Sequence, residues 1–95
     1  MLLTKDMDSR RTDRKILLQI LNTCANGNGE VKTKIVYAVN LNFKTVRPHL
    51  DLLVRNGLLE TSIDGRYTRY TTTMKGAEAL AHLQALEKLL SDAAR

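Results

Sequence analysis

Lys44, Thr45, Arg47, Pro48, His49 and Arg55 crowd one segment, residues 41–59, LNFKTVRPHLDLLVRNGLL. Their polar groups are mostly cations and hydrogen-bond donors, suited to the edges of bases and to phosphate oxygens rather than to bond breaking. Lys32 and Lys34 precede them, Arg66 and Arg69 follow, and Arg10, Arg11 and Arg14 crowd an earlier stretch. Residues 1–72 hold 12 Lys/Arg against 7 Asp/Glu, whereas residues 73–95 hold 3 of each, so the whole net charge of +5 belongs to the first part. Such placement is expected of a surface that meets a polyanion, nucleic acid ahead of an acidic protein or a membrane. Other chemistries lack their residues. The carboxylates are scattered singly, with no pair for acid–base work. No Ser elbow or phosphate-binding Gly-Lys signature occurs. His49 and His82 have no Cys or His at ligand spacing, and Cys24 is alone, so neither a metal, a cofactor nor an intrachain disulfide is expected. An enzyme is not the expectation.

The elements that position these cations follow from apolar spacing. Phe43, Val46, Leu50, Leu53 and Val54 recur at steps of three and four, which predicts a helix over 43–56. Asn42 is its N-cap and Gly57 its left-handed terminator. Lys44, Thr45, Pro48, His49, Leu52 and Arg55 lie roughly opposite the apolar stripe, with His49 either a base contact or simply exposed. Pro48 lacks an amide for the carbonyl of Lys44, so the helix is kinked there or starts later. Upstream, Val31, Ile35, Val36 and Val39 make the inner face of a short helix beginning near Glu30 or Thr33. Asn40-Leu41-Asn42 turns the chain between the two, the helix-turn-helix pattern. An earlier helix over 9–25, capped by Asp8 or Ser9, buries Ile16, Leu17, Ile20, Leu21 and Cys24. Arg10, Arg11 and Arg14 at its start are phosphate contacts or a solvated basic face. Residues 1–8 show no periodicity and are expected to be flexible; residues 26–30, NGNGE, are a connector.

Beyond Gly57, residues 58–62 and the Tyr/Thr-rich 66–72 are two strands joined at Asp64-Gly65. Tyr67 and Tyr70 have opposite parity, so one packs inward and one is exposed. The hairpin tip carries Arg66 with Arg69 nearby, able to reach phosphates or the minor groove. Thr73 caps a last helix in which Ala79, Leu83, Leu86, Leu90 and Ala93 follow an a/d seam, widened by Leu80 and Leu89. So much Leu on a terminal helix favours a homodimer over a helix folded back on its own domain. At 43% hydrophobic and 26% charged, the 95 residues suit one soluble domain: helix-turn-helix and hairpin over 9–72, dimerisation helix over 73–95. No apolar run approaches the ~18 residues that span a bilayer. Residues 1–7 are too polar for a signal peptide, so a cytoplasmic location without membrane contact is expected.

Taken together, KILLQIL, VKTKIVYAVNLNFKTV, LDLLVRNGLL and YTTTMKG resemble the small archaeal winged-helix DNA-binding proteins typified by the Sulfolobus ten-kilodalton chromatin-associated protein. The VKTKIVYAVNL run is the most specific. The resemblance implies a mainly α fold with a small β-hairpin, a winged helix-turn-helix followed by a long C-terminal helix forming a dimeric antiparallel coiled coil. It also implies double-stranded DNA binding, in transcription control or chromatin organisation, at the nucleoid. The sequence departs from the group at Arg47 and Pro48. On this reading Lys44, Thr45, Arg47, Pro48 and His49, with Asn42 and Arg55 beside them, meet the major groove. Lys32, Lys34, Arg10, Arg11, Arg14, Arg66 and Arg69 hold phosphates. Ala79, Leu80, Leu83, Leu86, Leu89, Leu90 and Ala93 form the dimer interface. A winged helix that binds a protein instead of DNA is the alternative; nothing points to an effector ligand.

Overall fold

The computed structural model describes residues 2–93, with side chains from residue 13 onward. Helix α1 (Leu2–Thr23) is followed by a short strand β1 (Glu30–Val31), helices α2 (Lys32–Val39) and α3 (Phe43–Arg55), strands β2 (Leu59–Asp64) and β3 (Tyr67–Thr72), and helix α4 (Met74–Ala93). The side chains of Arg10 and Arg11 lie outside the described residues.

α1 begins at Leu2, upstream of the expected cap at Asp8 or Ser9. Apolar periodicity marks only the part of a helix that packs. Before Asp13 the chain holds no Gly or Pro, and its Leu, Lys, Met and Arg are good helix formers, so nothing in it stops the helix. From Ile16 on, α1 contributes Ile16, Ile20 and Leu21 to a single core, which Cys24 joins just past the helix end. Ile35 and Val39 of α2, Val46, Leu50 and Leu53 of α3, Leu59 and Leu80 complete it, with Leu17, Leu41, Phe43, Val54 and Tyr70 packed around.

The corner between α2 and α3 forms as its sequence requires. Asn40 takes the left-handed conformation at φ 58, and its amide and that of Leu41 return to Tyr37 and Val36 carbonyls. Asn42 Oδ1 accepts from the Thr45 amide at 2.9 Å, closing the first turn of α3. α3 runs unbroken through Pro48, so the later start is excluded. It ends where Gly57, at φ 76, turns the chain so that the Leu58 amide reaches the Leu53 carbonyl at 2.9 Å.

The hairpin gains a third strand. The sheet order is β1-β3-β2, all antiparallel, with Glu30 opposite Tyr70, Val31 opposite Arg69, and β2 and β3 in register from Leu59–Thr72 to Asp64–Tyr67. Two residues are too few to show a period, so β1 exists only through its partner. Gly29 makes the approach possible. At φ 69 it lies so close to β3 that a Cβ would collide with Thr71 and stand 2.6 Å from the Tyr70 carbonyl oxygen. The connector is therefore packed at Gly29, while residues 26–28 stay exposed. Thr72 ties the sheet to the end of α1, its amide donating to the Cys24 carbonyl at 3.0 Å and its hydroxyl to that of Leu21 at 2.7 Å. Thr73 caps α4, its hydroxyl accepting from the Gly76 amide at 3.0 Å. None of the described helices is long and apolar enough to cross a membrane.

Candidate nucleic-acid interface

α3 turns Val46, Leu50 and Leu53 into the core, which leaves Lys44, Thr45, Arg47, Pro48 and Arg55 exposed on its outer side. Phe43, Lys44, Arg47, Pro48, Asp51 and Arg55 line one shallow concavity there. Asp51 is new to the set: an acid among cations gives no sign in composition, and only the helix phase puts it in this hollow.

Lys32 connects this face to the hairpin. Its ammonium sits 4.2 Å from the centroid of the Phe43 ring, a cation–π contact that holds it over the start of α3. It lines one cleft with Phe43, Arg47, Leu50, Asp51 and Tyr70, and a second with Thr33, Arg66, Tyr67 and Thr68. A band of positive charge thus runs from Arg66 at the hairpin tip, across Lys32, to Arg47, Lys44 and Arg55. Arg66 follows Gly65 in the two-residue turn and makes no ion pair among the described residues. Lys34 is exposed on α2. Tyr70 packs against the core while Tyr67 is exposed, as their parity requires. Burial, then the nearby Asp51 carboxylate, hold the Tyr70 phenol above its ordinary range.

Four of the expected contact residues are engaged elsewhere. The His49 side chain is only 16% exposed. Its Nδ1 lies 3.0 Å from the Thr45 carbonyl and its Nε2 3.3 Å from Asp13 Oδ1 on α1. It sits at the margin of the outward arc, where α1 covers it. Arg14 Nε donates to Glu87 Oε2 at 2.7 Å, tying α1 to α4. Arg69 Nε donates to Asp64 Oδ2 at 2.8 Å and its guanidinium reaches the Gly29 carbonyl at 3.4 Å, bracing the hairpin. Asn42 has committed its side-chain oxygen to the cap. Adjacent residues Asp13 and Arg14 therefore join α1 to both α3 and α4.

The seam on α4 divides. Leu80 is buried in its own domain, and Ala79 and Leu83 pack against that core. Leu86, Leu89 and Leu90 are 40%, 66% and 42% exposed, and Ala93 is exposed. The folded-back alternative thus holds for the first part of the helix, whereas the second is tied back by Glu87 but leaves its leucines exposed. Cys24 is fully buried, and burial, then Glu30, push its thiol up to about 12.

Residues 10–91 match the family model described as winged helix-turn-helix. The chain belongs to the winged helix-turn-helix family. In family terms α2 and α3 are the helix-turn-helix and β2–β3 the wing. Among solved structures, this winged helix is similar to Sso10a-2, a DNA-binding protein from Sulfolobus solfataricus, with a TM-score of 0.77 and 24% identity over 83% of this chain and 81% of that one. It is also similar to BpsR of Bordetella bronchiseptica, whose DNA binding is regulated by 6-hydroxynicotinic acid, with a TM-score of 0.73 and 19% identity over 82% and 58% of the two chains. An uncharacterized protein of Methanocaldococcus jannaschii is 23% identical over 82 residues, 86% of this chain and 79% of that protein. The archaeal winged-helix resemblance read from the sequence is borne out by these matches.

Proposed function

We propose that this protein binds double-stranded DNA as a homodimer, as a transcription regulator or chromatin-associated protein. The observation that carries the reading is the position of Lys32 between two clefts, which joins the outer side of α3 to the wing tip in one cationic surface. Sso10a-2 and BpsR, described as binding DNA, share the fold and lend support. α3 enters the major groove, where Lys44 and Arg47 donate to guanine, while Lys32, Lys34 and Arg66 hold phosphates. A second copy covers Leu86, Leu89 and Leu90, which are 40–66% exposed, so each adds roughly half of the 1.5–3 kcal/mol that burying a fully exposed side chain contributes. An antiparallel pairing of the two α4 helices would place one winged domain at each end.

The contacts divide by type, and alanine substitution tests the division. Lys44→Ala is expected to weaken binding to a preferred duplex more than to random duplex, whereas Arg66→Ala lowers both alike. Equal losses for the two variants at fixed salt would sink the division. Absence of any duplex binding by the unmodified protein at low salt would sink the reading itself and favour a protein partner.

A further inference from the structure

Asp51 is the anomaly of the cationic face. It stands one turn after Arg47 and one turn before Arg55, in the hollow they line with Lys44 and Pro48. Its side chain is 59% exposed. Its only ion pair among the described residues is with Arg47, whose Nε lies 4.0 Å away, at the outer limit of such a pair; Lys32 and Tyr70 line a cleft with it. That pair holds little, because both groups are solvated and Arg preceding Asp is the weaker order along a helix. Among the described residues, then, no hydrogen bond holds this carboxylate.

A duplex offers one. On DNA every phosphate oxygen is an acceptor and negatively charged, so a carboxylate gains nothing from the backbone and is repelled by it. The donors that a major groove offers are the amino groups of cytosine N4 and adenine N6, and a carboxylate pairs with the former. Arg47, a turn away, presents the fork that fits guanine O6 and N7. We propose that Asp51 and Arg47 together read a G·C pair, Asp51 accepting from cytosine N4 and Arg47 donating to the guanine of the same or the adjacent pair. Asp51 makes the face selective, since it weakens binding wherever that donor is missing. This rests on the DNA-binding reading above, and deepens it from duplex binding in general to preference for one base pair.

The test selects duplexes from a randomised pool with the unmodified protein, Asp51→Asn and Asp51→Ala at one salt concentration, then titrates each against selected and random DNA. Thermal melting confirms that the exposed substitutions leave folding intact. The unmodified protein is expected to enrich a G·C pair at one fixed position and to prefer it about tenfold over a substituted pair. Asp51→Ala keeps only the part of that preference that Arg47 supplies, and binds random duplex at least as tightly, having shed a negative charge. Asp51→Asn shifts the position toward A·T, because a carboxamide pairs with adenine N6 and N7. Duplex binding with no favoured pair, or an Asp51→Ala protein with the original preference, would overturn the inference and leave DNA binding standing. No duplex binding by the unmodified protein would overturn both.

Discussion

Arg66 and Arg69 are three residues apart on one wing, yet they should respond oppositely to substitution. Arg69 is held by Asp64 at 2.8 Å and by the Gly29 carbonyl at 3.4 Å, so its charge is largely answered inside the protein. Arg66 stands at the turn, exposed and without an ion pair among the described residues. Each phosphate neutralised by a cation contributes about 0.9 to the slope of log affinity against log salt on duplex DNA. Arg66→Ala should therefore flatten that slope by about 0.9 for one wing and about 1.8 for the two wings of a dimer. Between about 50 and 200 mM salt, a change of 1.8 amounts to roughly a tenfold difference in salt sensitivity. Arg69→Ala should leave the slope within error of the unmodified protein, and its cost should appear instead as a lower melting temperature. Fluorescence anisotropy with a labelled duplex, repeated across a salt series, measures each slope. An Arg69→Ala slope flattened as much as that of Arg66→Ala, or an Arg66→Ala slope left unchanged, would refute the assignment of Arg66 as the wing's phosphate contact.

Gly29→Ala combines a strained φ with a collision against β3, so it should cost at least about 2 kcal/mol, and calorimetry should find the melting point lower by about 4–8 °C per kcal/mol. Gly27→Ala, whose Cβ meets nothing within 4 Å, is the near-neutral control. Replacing Leu86 and Leu89 by Glu should convert a dimer to a folded monomer, since both side chains are exposed in one protomer; light scattering that finds the same mass before and after would contradict the α4 interface. The buried Cys24 thiol should resist alkylation in the folded protein. Because its folded value is raised from 9.0 to about 12, the folded state keeps a proton that the unfolded chain gives up. Its stabilising contribution is full below about pH 9 and is lost between there and about pH 12, at about 1.4 kcal/mol per unit. A Cys24→Ala protein, followed by denaturant titration against pH, should lack that part of the decline.

Local chemistry was the legible part of the sequence. Asn40 and Asn42 at the corner, Gly57 after α3 and Thr73 before α4 each do what their side chain or backbone freedom dictates within a few residues, and each appears in place. The exposure of Lys44, Thr45, Pro48 and Arg55 on α3 followed from phase alone. What escaped was settled by distant partners. β1 pairs with a strand far along the chain, and Gly29 matters only because β3 lies against it. His49, Arg14 and Arg69 are indistinguishable by type from free contact residues; Asp13, Glu87 and Asp64, distant or nearby in the chain, are what engage them. The same holds for α4, where one heptad pattern serves the core at Leu80 and faces solvent at Leu89. Asp51 is illegible for another reason: a single acid among cations leaves no mark on composition or charge.

The most direct measurement follows backbone amide resonances as a short duplex is added at low salt. Shifts and broadening should gather at Lys44, Thr45, Arg47, Asp51 and Arg55 of α3, at Lys32, and at Gly65 and Arg66 of the wing, with Leu86–Leu90 of α4 unmoved. Perturbations confined to α4 or to the side of the domain away from α3, or a spectrum that ignores the duplex altogether, would contradict the central claim.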